Sequence, residues 1–171
     1  MTVIRIARAD EAARLIEIEW AAGELYRTVG LDFVAEDPPM SKPEYVEYID
    51  DDRCLVAVAD DASIAAYVVI DVVDGAAHVE QLSVHPDHAR QRIGAALLDA
   101  VDEWAARRGI THLTLTTMRT VPWNAPYYER CGFRELGDDE IGPGLRAVMD
   151  HEAENGLALD IRTAMRRDVS P

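Results

Sequence analysis

The stretch VEQLSVHPDHARQRIGAALLDAVDEWAARRG, residues 79–109 of this 171-residue chain, decides the predicted fold. It begins as a strand, passes through a polar loop at residues 87–92 and continues as a helix from Ile93. Apolar residues of the helix recur at intervals of three and four, which is the period of an amphipathic α-helix. Gly109 stands where a helix C-cap is expected. The stretch therefore predicts one strand–loop–helix unit.

The junction between this loop and the helix predicts a phosphate-binding site. The first N–H groups of a helix have no carbonyl partner within the helix, and they lie at the positive end of its dipole. Such a junction binds phosphate or pyrophosphate, and Arg90 and Arg92 add positive charge. On the residues alone, a solvated turn that uses Gly94 for close packing stays open as the alternative.

The rest of the chain alternates between strand-like and helix-like patterns. The predicted strands are 3–7, 54–59, 64–73, 77–84, 112–118, one that starts at Phe133, and 159–164. The predicted helices are one capped by Asp10 that runs to about Val29, one capped by Ser41, then 93–104, 125–131 and 145–154. Because 54–59 and 64–73 flank the short segment DDAS, they predict an antiparallel hairpin. We expect an α+β (mixed α/β) fold with a central, mostly antiparallel sheet flanked by helices, in a single domain over 1–171.

The strand at 77–84 changes its apolar phase partway along. Val79 is apolar on one phase, whereas Leu82 and Val84 are apolar on the other. One inserted residue would produce this change, so we predict a β-bulge near Glu80 and Gln81.

The charge balance excludes two classes of partner. The chain has 17 Lys+Arg against 32 Asp+Glu, a formal net charge of −15. Such a surface repels the phosphates of nucleic acid and disfavours docking on an anionic membrane. No stretch approaches the ~18 consecutive apolar residues of a membrane span, and the N-terminus has no signal-peptide core.

The cysteines and histidines predict neither a disulfide framework nor a metal site. Cys54 and Cys131 lie far apart with no paired spacing, so we expect reduced thiols and a cytoplasmic location. His85 and His88 lie beside Asp87, but all three fall in the predicted phosphate loop. We expect no bound metal.

Two separate motifs resemble those of the GCN5-related N-acetyltransferase (GNAT) superfamily. Residues 78–109 resemble its acetyl-CoA-binding motif, a bulged strand followed by a Q/R-x-x-G-x-G/A loop and a helix. In this chain Ala89 falls at the Gln/Arg position, Arg92 at the first glycine and Gly94 at the second. Residues 122–136, PWNAPYYERCGFREL, resemble the later motif, in which an Asn precedes a short helix with an aromatic–Tyr pair and then Gly-Phe. With the opening and closing strands, the resemblance covers nearly the whole chain.

The resemblance implies a GNAT-like domain in which two parallel strands splay apart and open a cleft for acetyl-CoA. It implies that strand backbone lines the pantetheine arm, that the loop and helix start hold the pyrophosphate, and that the later motif contacts the cofactor. The implied cofactor-binding residues are Leu82, Ser83, Val84, Arg90, Gln91, Arg92, Ile93, Gly94, Ala95, Asn124 and Tyr127.

The resemblance also implies direct attack of an amine on the thioester, which requires a base and an acid. Tyr128 matches the general acid of the family, and a phenol stays protonated at neutral pH. Glu80, at the inferred bulge, is the candidate base, directly or through water. A core-packed tyrosine and a solvated glutamate are the alternatives. Cys131 as an acyl-carrying nucleophile is disfavoured, because no histidine stands where it suggests a pair.

The expected function is acetyl-CoA-dependent N-acetyl transfer to the primary amine of a small molecule. Two alternatives stay open: a protein N-terminal or lysine acetyltransferase, and a catalytically silent acyl-CoA-binding protein. Residues 1–60 hold 14 acidic and six basic residues, whereas 86–134 hold five acidic residues and seven arginines. This asymmetry suggests steering of an anionic cofactor and a cationic amine, with simple solubility as the alternative. A homodimer is compatible with such a fold, but no sequence feature decides it.

Overall fold

The computed structural model describes residues 2–169 and contains a seven-stranded sheet. The strands are β1 (Val3–Ile6), β2 (Cys54–Val58), β3 (Ile64–Val73), β4 (Ala76–Val84), β5 (His112–Met118), β6 (Arg134–Glu135) and β7 (Arg162–Asp168). They lie in the order β1-β2-β3-β4-β5-β7-β6. The ladders β1–β2, β2–β3, β5–β7 and β6–β7 are antiparallel, whereas β4–β5 is parallel. The predicted fold class is confirmed.

Six α-helices accompany the sheet in the described residues. They are α1 (Ala12–Gly23), α2 (Asp32–Glu36), α3 (Lys42–Asp50), α4 (Ile93–Ala106), α5 (Ala125–Arg130) and α6 (Pro143–Glu154). Ser41 and Glu44 form the capping box that starts α3, as their spacing predicts. Between residues 2 and 169, none of the helices is long and apolar enough to cross a membrane.

Four features differ from the sequence prediction. The helix predicted to run to about Val29 is α-helical only to Gly23 and continues as a 3-10 helix over Glu24–Val29. The chain enters α1 through a 3-10 turn at Ala9–Glu11 instead of an Asp10 cap, because the Glu11 carboxylate accepts from the backbone N–H of Arg8 at 2.8 Å. Helix α2 lies between the first two predicted helices, in a segment where the sequence predicts no helix. Strand β7 runs from Arg162 to Asp168, later than predicted, because its register is fixed by pairing with β5.

The residues group by their mutual contacts into two units, which we describe separately. The first comprises the chain through Ile70 together with Gln81–Ala100, and the second comprises Asp71–Glu80 together with the chain from Val101. Strands β3 and β4 and helix α4 run through both. The prediction of a single domain therefore stays a prediction.

Each unit has a core of its own. In the first unit, Leu15 and Ile18 of α1 pack with Tyr45 of α3 and with the inward residues of β2 and β3. Burial of these apolar side chains supplies the main stabilisation. In the second unit, Leu145 and Met149 of α6 pack against β7. That packing lays α6 along one face of its strands.

Strand β4 changes its surroundings at Glu80. Residues 76–79 are buried, whereas Glu80 is exposed and Gln81 and Leu82 are half-buried. The parallel ladder with β5 registers Ala77 with Leu113 and His78 with Thr114. The register irregularity that the structure records lies between Ala57 and Val58, so the bulge near Glu80 stays a prediction.

Candidate active site

The loop before α4 has an unusual backbone. Arg90 and Arg92 adopt left-handed conformations, with φ of +62° and +60°. For a residue with a Cβ atom this conformation costs about 1–2 kcal/mol, and such strain is concentrated at functional sites. Arg92 stands where the family motif has its first glycine. The chain therefore keeps at Arg92 the backbone shape that glycine adopts most easily.

The start of α4 presents N–H groups with no acceptor inside the helix. The first bond of the helical ladder runs from the N–H of Ala96 to the carbonyl of Arg92. The N–H groups of Ile93, Gly94 and Ala95 precede it, at the positive end of the dipole. Arg90, Gln91 and Arg92 are exposed. N–H groups with adjacent guanidinium groups fit a pyrophosphate, so these residues can hold that part of the cofactor.

A substitution at Arg92 tests this backbone conformation. We expect the free energy of unfolding of Arg92→Gly to be about 1 kcal/mol higher than that of Arg92→Ala. Only glycine adopts the left-handed region without strain. Both variants lose the same charge, so their coenzyme A affinities, measured by calorimetry, should fall equally. Denaturant unfolding measures the stability difference. Equal stability of the two variants would contradict the strained conformation.

Ser83 joins the segment of β4 that the family resemblance assigns to the cofactor, which stays a prediction, to a buried polar network in the first unit. Its Oγ accepts from Nε2 of Gln81 at 2.9 Å and bonds the hydroxyl of Tyr67. The Tyr67 hydroxyl lies 2.5 Å from that of Tyr45, and both tyrosines donate to the Glu19 carboxylate. Leu82 and Val84 are half-buried. The side chain of Ser83 is thus fixed inside the unit, which holds this part of β4 in place.

Glu80 lies in the second unit and carries a perturbed carboxyl group. Its side chain is 38% exposed. Partial burial, together with the negative charges of Asp71 and Glu152, raises the pKa of Glu80 to about 7, while Arg162 opposes the rise. A carboxyl with a pKa near the working pH can accept a proton and release it again.

A hydrogen-bonded group of three side chains lies near Glu80 in the same unit. Arg162 donates to both oxygens of Glu152, at 2.8 and 3.3 Å, and to Thr116 Oγ1 at 2.9 Å. Thr116 donates to Glu152 at 2.6 Å. Sequence reasoning missed all three, because α6 and β7 come together with β5 only in the folded chain.

Helix α5 presents the residues of the later motif. Asn124 is buried and precedes the helix, and its carbonyl accepts from the N–H groups of Tyr127 and Tyr128. The Tyr128 ring is half-buried and contacts the rings of Tyr127 and Phe133 edge-on, with centroids 5.5 and 5.7 Å apart. A core-packed ring and a general acid remain compatible with this placement.

Helix α5 ends at Arg130, and Gly132 two residues later explains the Gly-Phe pair of the motif. Gly132 has φ +86°, and the N–H of Phe133 returns to the carbonyl of Tyr128 at 3.0 Å. A left-handed glycine of this kind is the usual helix C-cap. The turn carries Phe133 into the core, where its ring packs against Tyr128.

The predicted site residues are divided between the two units. Leu82, Ser83, Val84 and the loop and helix start from Arg90 to Ala95 belong to the first unit. Glu80, Asn124, Tyr127 and Tyr128 belong to the second. Over the described range 2–169, no group of three or more His, Cys, Asp or Glu side chains could hold a metal ion. Cys54 is buried and Cys131 is half-buried, and both are free thiols.

Comparisons with known proteins agree with the sequence motifs. The model of the Acetyltransferase (GNAT) family matches residues 12–133. The S-(2-succino)cysteine N-acetyltransferase of Bacillus subtilis is 26% identical over 149 residues, which cover 82% of this chain and 88% of that protein.

Two solved structures extend the comparison. A nourseothricin acetyltransferase is 30% identical, covers 68% of this chain and 65% of its own, and has a TM-score of 0.51. The PaiA N-acetyltransferase of Thermoplasma acidophilum, solved with coenzyme A, is 17% identical, covers 98% of this chain and 99% of its own, and has a TM-score of 0.71. The second likeness shows the fold alone. With the family model matched over most of its length, this chain belongs to the GNAT family of acetyl-CoA-dependent N-acetyltransferases.

Proposed function

We propose that the protein transfers the acetyl group of acetyl-CoA directly to the primary amine of a small, cationic molecule. The observation that carries this proposal is Glu80, a carboxyl whose pKa is raised to about 7 by partial burial and by the charges of Asp71 and Glu152. The two relatives with 26% and 30% identity are named for small-molecule acceptors, which supports a small acceptor here.

The chain's own residues supply the proton transfers. Acetyl-CoA brings the acetyl group as a thioester, held through its pyrophosphate by the loop and helix start from Arg90 to Ala95. Glu80 accepts a proton from the attacking ammonium group, directly or through one water. The Tyr128 hydroxyl donates a proton to the departing sulfur. The first step needs an ionised carboxylate, and the pKa of Glu80 near 7 supplies a share of that form at neutral pH. The second step needs an O–H donor, which a phenol is.

The charges around Glu80 support a cationic acceptor. Among the groups that act on the pKa of Glu80, Asp71 and Glu152 are acidic and Arg162 is basic. Such an excess of negative charge favours an ammonium group over a carboxylate at the same place. An acceptor with a second positive charge should therefore bind more tightly here, whereas the carboxylate of an amino acid should weaken binding.

An acceptor panel at fixed acetyl-CoA tests the proposal by thiol release. Butane-1,4-diamine, butylamine and 4-aminobutyrate each carry a terminal primary amine on a four-carbon chain and differ in charge. We expect kcat/KM for the diamine to exceed that for butylamine at least about tenfold at low salt. The ratio of the two kcat/KM values should fall toward one in about 0.5 M salt, where the charges are strongly screened.

Variants separate this charge effect from a general loss of function. Asp71→Asn should reduce the preference for the diamine and leave coenzyme A affinity unchanged, whereas Asp150→Asn, on the exposed side of α6, should change neither. No preference for the diamine would overturn the cationic acceptor. Acetylation of peptides alone would move the function to proteins, and coenzyme A binding without thiol release would indicate a silent binding protein.

We also propose that the protein acts in the cytoplasm. Cys54 and Cys131 are both free, which is the usual state of thiols in that compartment.

A further inference from the structure

His78 stands between a hydroxyl and the carboxylate of Glu80. Its imidazole is 2% exposed and lies on β4, two residues before Glu80 and therefore on the same face. Thr114 of β5 is its registered neighbour across the parallel ladder. Nδ1 of His78 lies 3.0 Å from Thr114 Oγ1, and Nε2 lies 3.7 Å from Oε2 of Glu80.

While Glu80 is ionised, these partners favour one tautomer of the imidazole. Burial lowers the pKa of His78, so the ring is neutral at neutral pH and carries a single N–H. An ionised carboxylate only accepts hydrogen bonds, whereas a threonine hydroxyl can donate or accept. Both neighbours are satisfied when Thr114 donates to Nδ1 and the proton stands on Nε2, facing Glu80.

The other charges around the pair act on the ionised form of Glu80 in both directions. Asp71 of β3 and Glu152 of α6 disfavour a further negative charge, while Arg162 of β7 favours it. A donor on Nε2 of His78 favours the ionised form as well. The 3.7 Å separation is longer than a hydrogen bond, so donation from Nε2–H requires the half-exposed Glu80 carboxyl to turn toward the ring.

We propose that His78 is a positioning residue that orients the carboxylate of Glu80 through its Nε2–H, with Thr114 fixing the tautomer. The proposal rests on the function proposed for Glu80 as base. It assigns to a buried histidine and a buried threonine a part in the proton transfer that no motif residue supplies.

Nuclear magnetic resonance of the wild-type protein without acceptor tests the pairing directly. We expect the ¹⁵N shifts at pH 8 to show a protonated Nε2 and an unprotonated Nδ1 in His78. The Nε2 shift should follow the titration of the Glu80 carboxyl carbon. A proton on Nδ1 at pH 8, or a Nε2 shift that ignores the Glu80 titration, would overturn the proposal.

Two matched pairs of variants test the same contact. His78→Gln can place an amide N–H near the position of Nε2, whereas His78→Asn places one near Nδ1. We expect His78→Asn to raise the pKa of Glu80, and with it the midpoint of the acidic limb of kcat/KM, by about one pH unit. His78→Gln should raise both by less than half of that. Thr114→Val should mimic His78→Asn, and Thr114→Ser should resemble the wild type. Equal displacement within each pair would overturn the proposal.

The role of Glu80 as base and the contact of His78 with Glu80 are tested by separate measurements. If Glu80→Gln left the rate unchanged, Glu80 would not be the base. The carboxyl titration and the ¹⁵N tautomer would still decide whether His78 holds Glu80, because neither measurement depends on turnover.

Discussion

Glu80→Gln is expected to lower kcat at pH 8 by about 10²- to 10³-fold, the range typical of a lost general base. The amide has nearly the size of the carboxyl but cannot accept the proton of the ammonium group. Thiol release with saturating acetyl-CoA and acceptor measures the effect. Glu103→Gln, at an exposed position on α4, is the matched control and should keep the wild-type rate.

The stability of the same variant tests whether the loss of rate is caused by unfolding. The folded state raises the pKa of Glu80 from 4.5 to about 7. The protonated form therefore stabilises the fold below pH 4.5, and this contribution is lost as the pH rises through 7. Because glutamine is neutral throughout, we expect Glu80→Gln to be at least as stable as the wild type at pH 8. A lower melting temperature there would contradict the raised pKa.

Tyr128→Phe is expected to lower kcat by about 10²-fold, because the departing sulfur then leaves without a proton from the phenol. Phenylalanine keeps the ring, so the edge contacts with Tyr127 and Phe133 stay in place. We therefore expect the melting temperature and the coenzyme A affinity to change little. Calorimetry and thiol release measure the two quantities separately.

Tyr48→Phe is the control for Tyr128, since Tyr48 of α3 lies under the guanidinium of Arg53 and outside the proposed machinery. Its turnover should equal that of the wild type. Unchanged turnover of Tyr128→Phe would leave Tyr128 as a tyrosine packed over the core.

The elements that local pattern determines could be predicted from the sequence. Helix α4 follows the 3.6-residue period, α3 follows its capping box, and β2 and β3 flank a short turn. Asp10, by contrast, does not cap the first helix. Glu11 takes that part, and its carboxylate accepts from the Arg5 guanidinium and from the backbone N–H of Arg8. Strand β7 lies later than the predicted strand 159–164, because its register depends on β5, some 50 residues away in sequence.

The candidate site divides in the same way. The loop with Arg90 and Arg92 and the short helix with Tyr128 are continuous stretches, so their motifs are visible in the sequence. The surroundings of Glu80 are not: Asp71, Glu152 and Arg162 come from three elements that meet only in the fold. His78 had a weak signal, since it is two residues from Glu80 on a predicted strand. A histidine at this spacing on a strand predicts a side chain on the same face as Glu80.

The pH dependence of the wild-type kcat/KM divided by that of Glu80→Gln tests the central claim most directly. The titration of the acceptor amine cancels in this ratio, so what remains is the titration of Glu80. We predict that the ratio rises about tenfold per pH unit below pH 7 and levels off above it, because the ionised carboxylate is the active form. A ratio that stays near one, or that does not change with pH, would contradict Glu80 as the base.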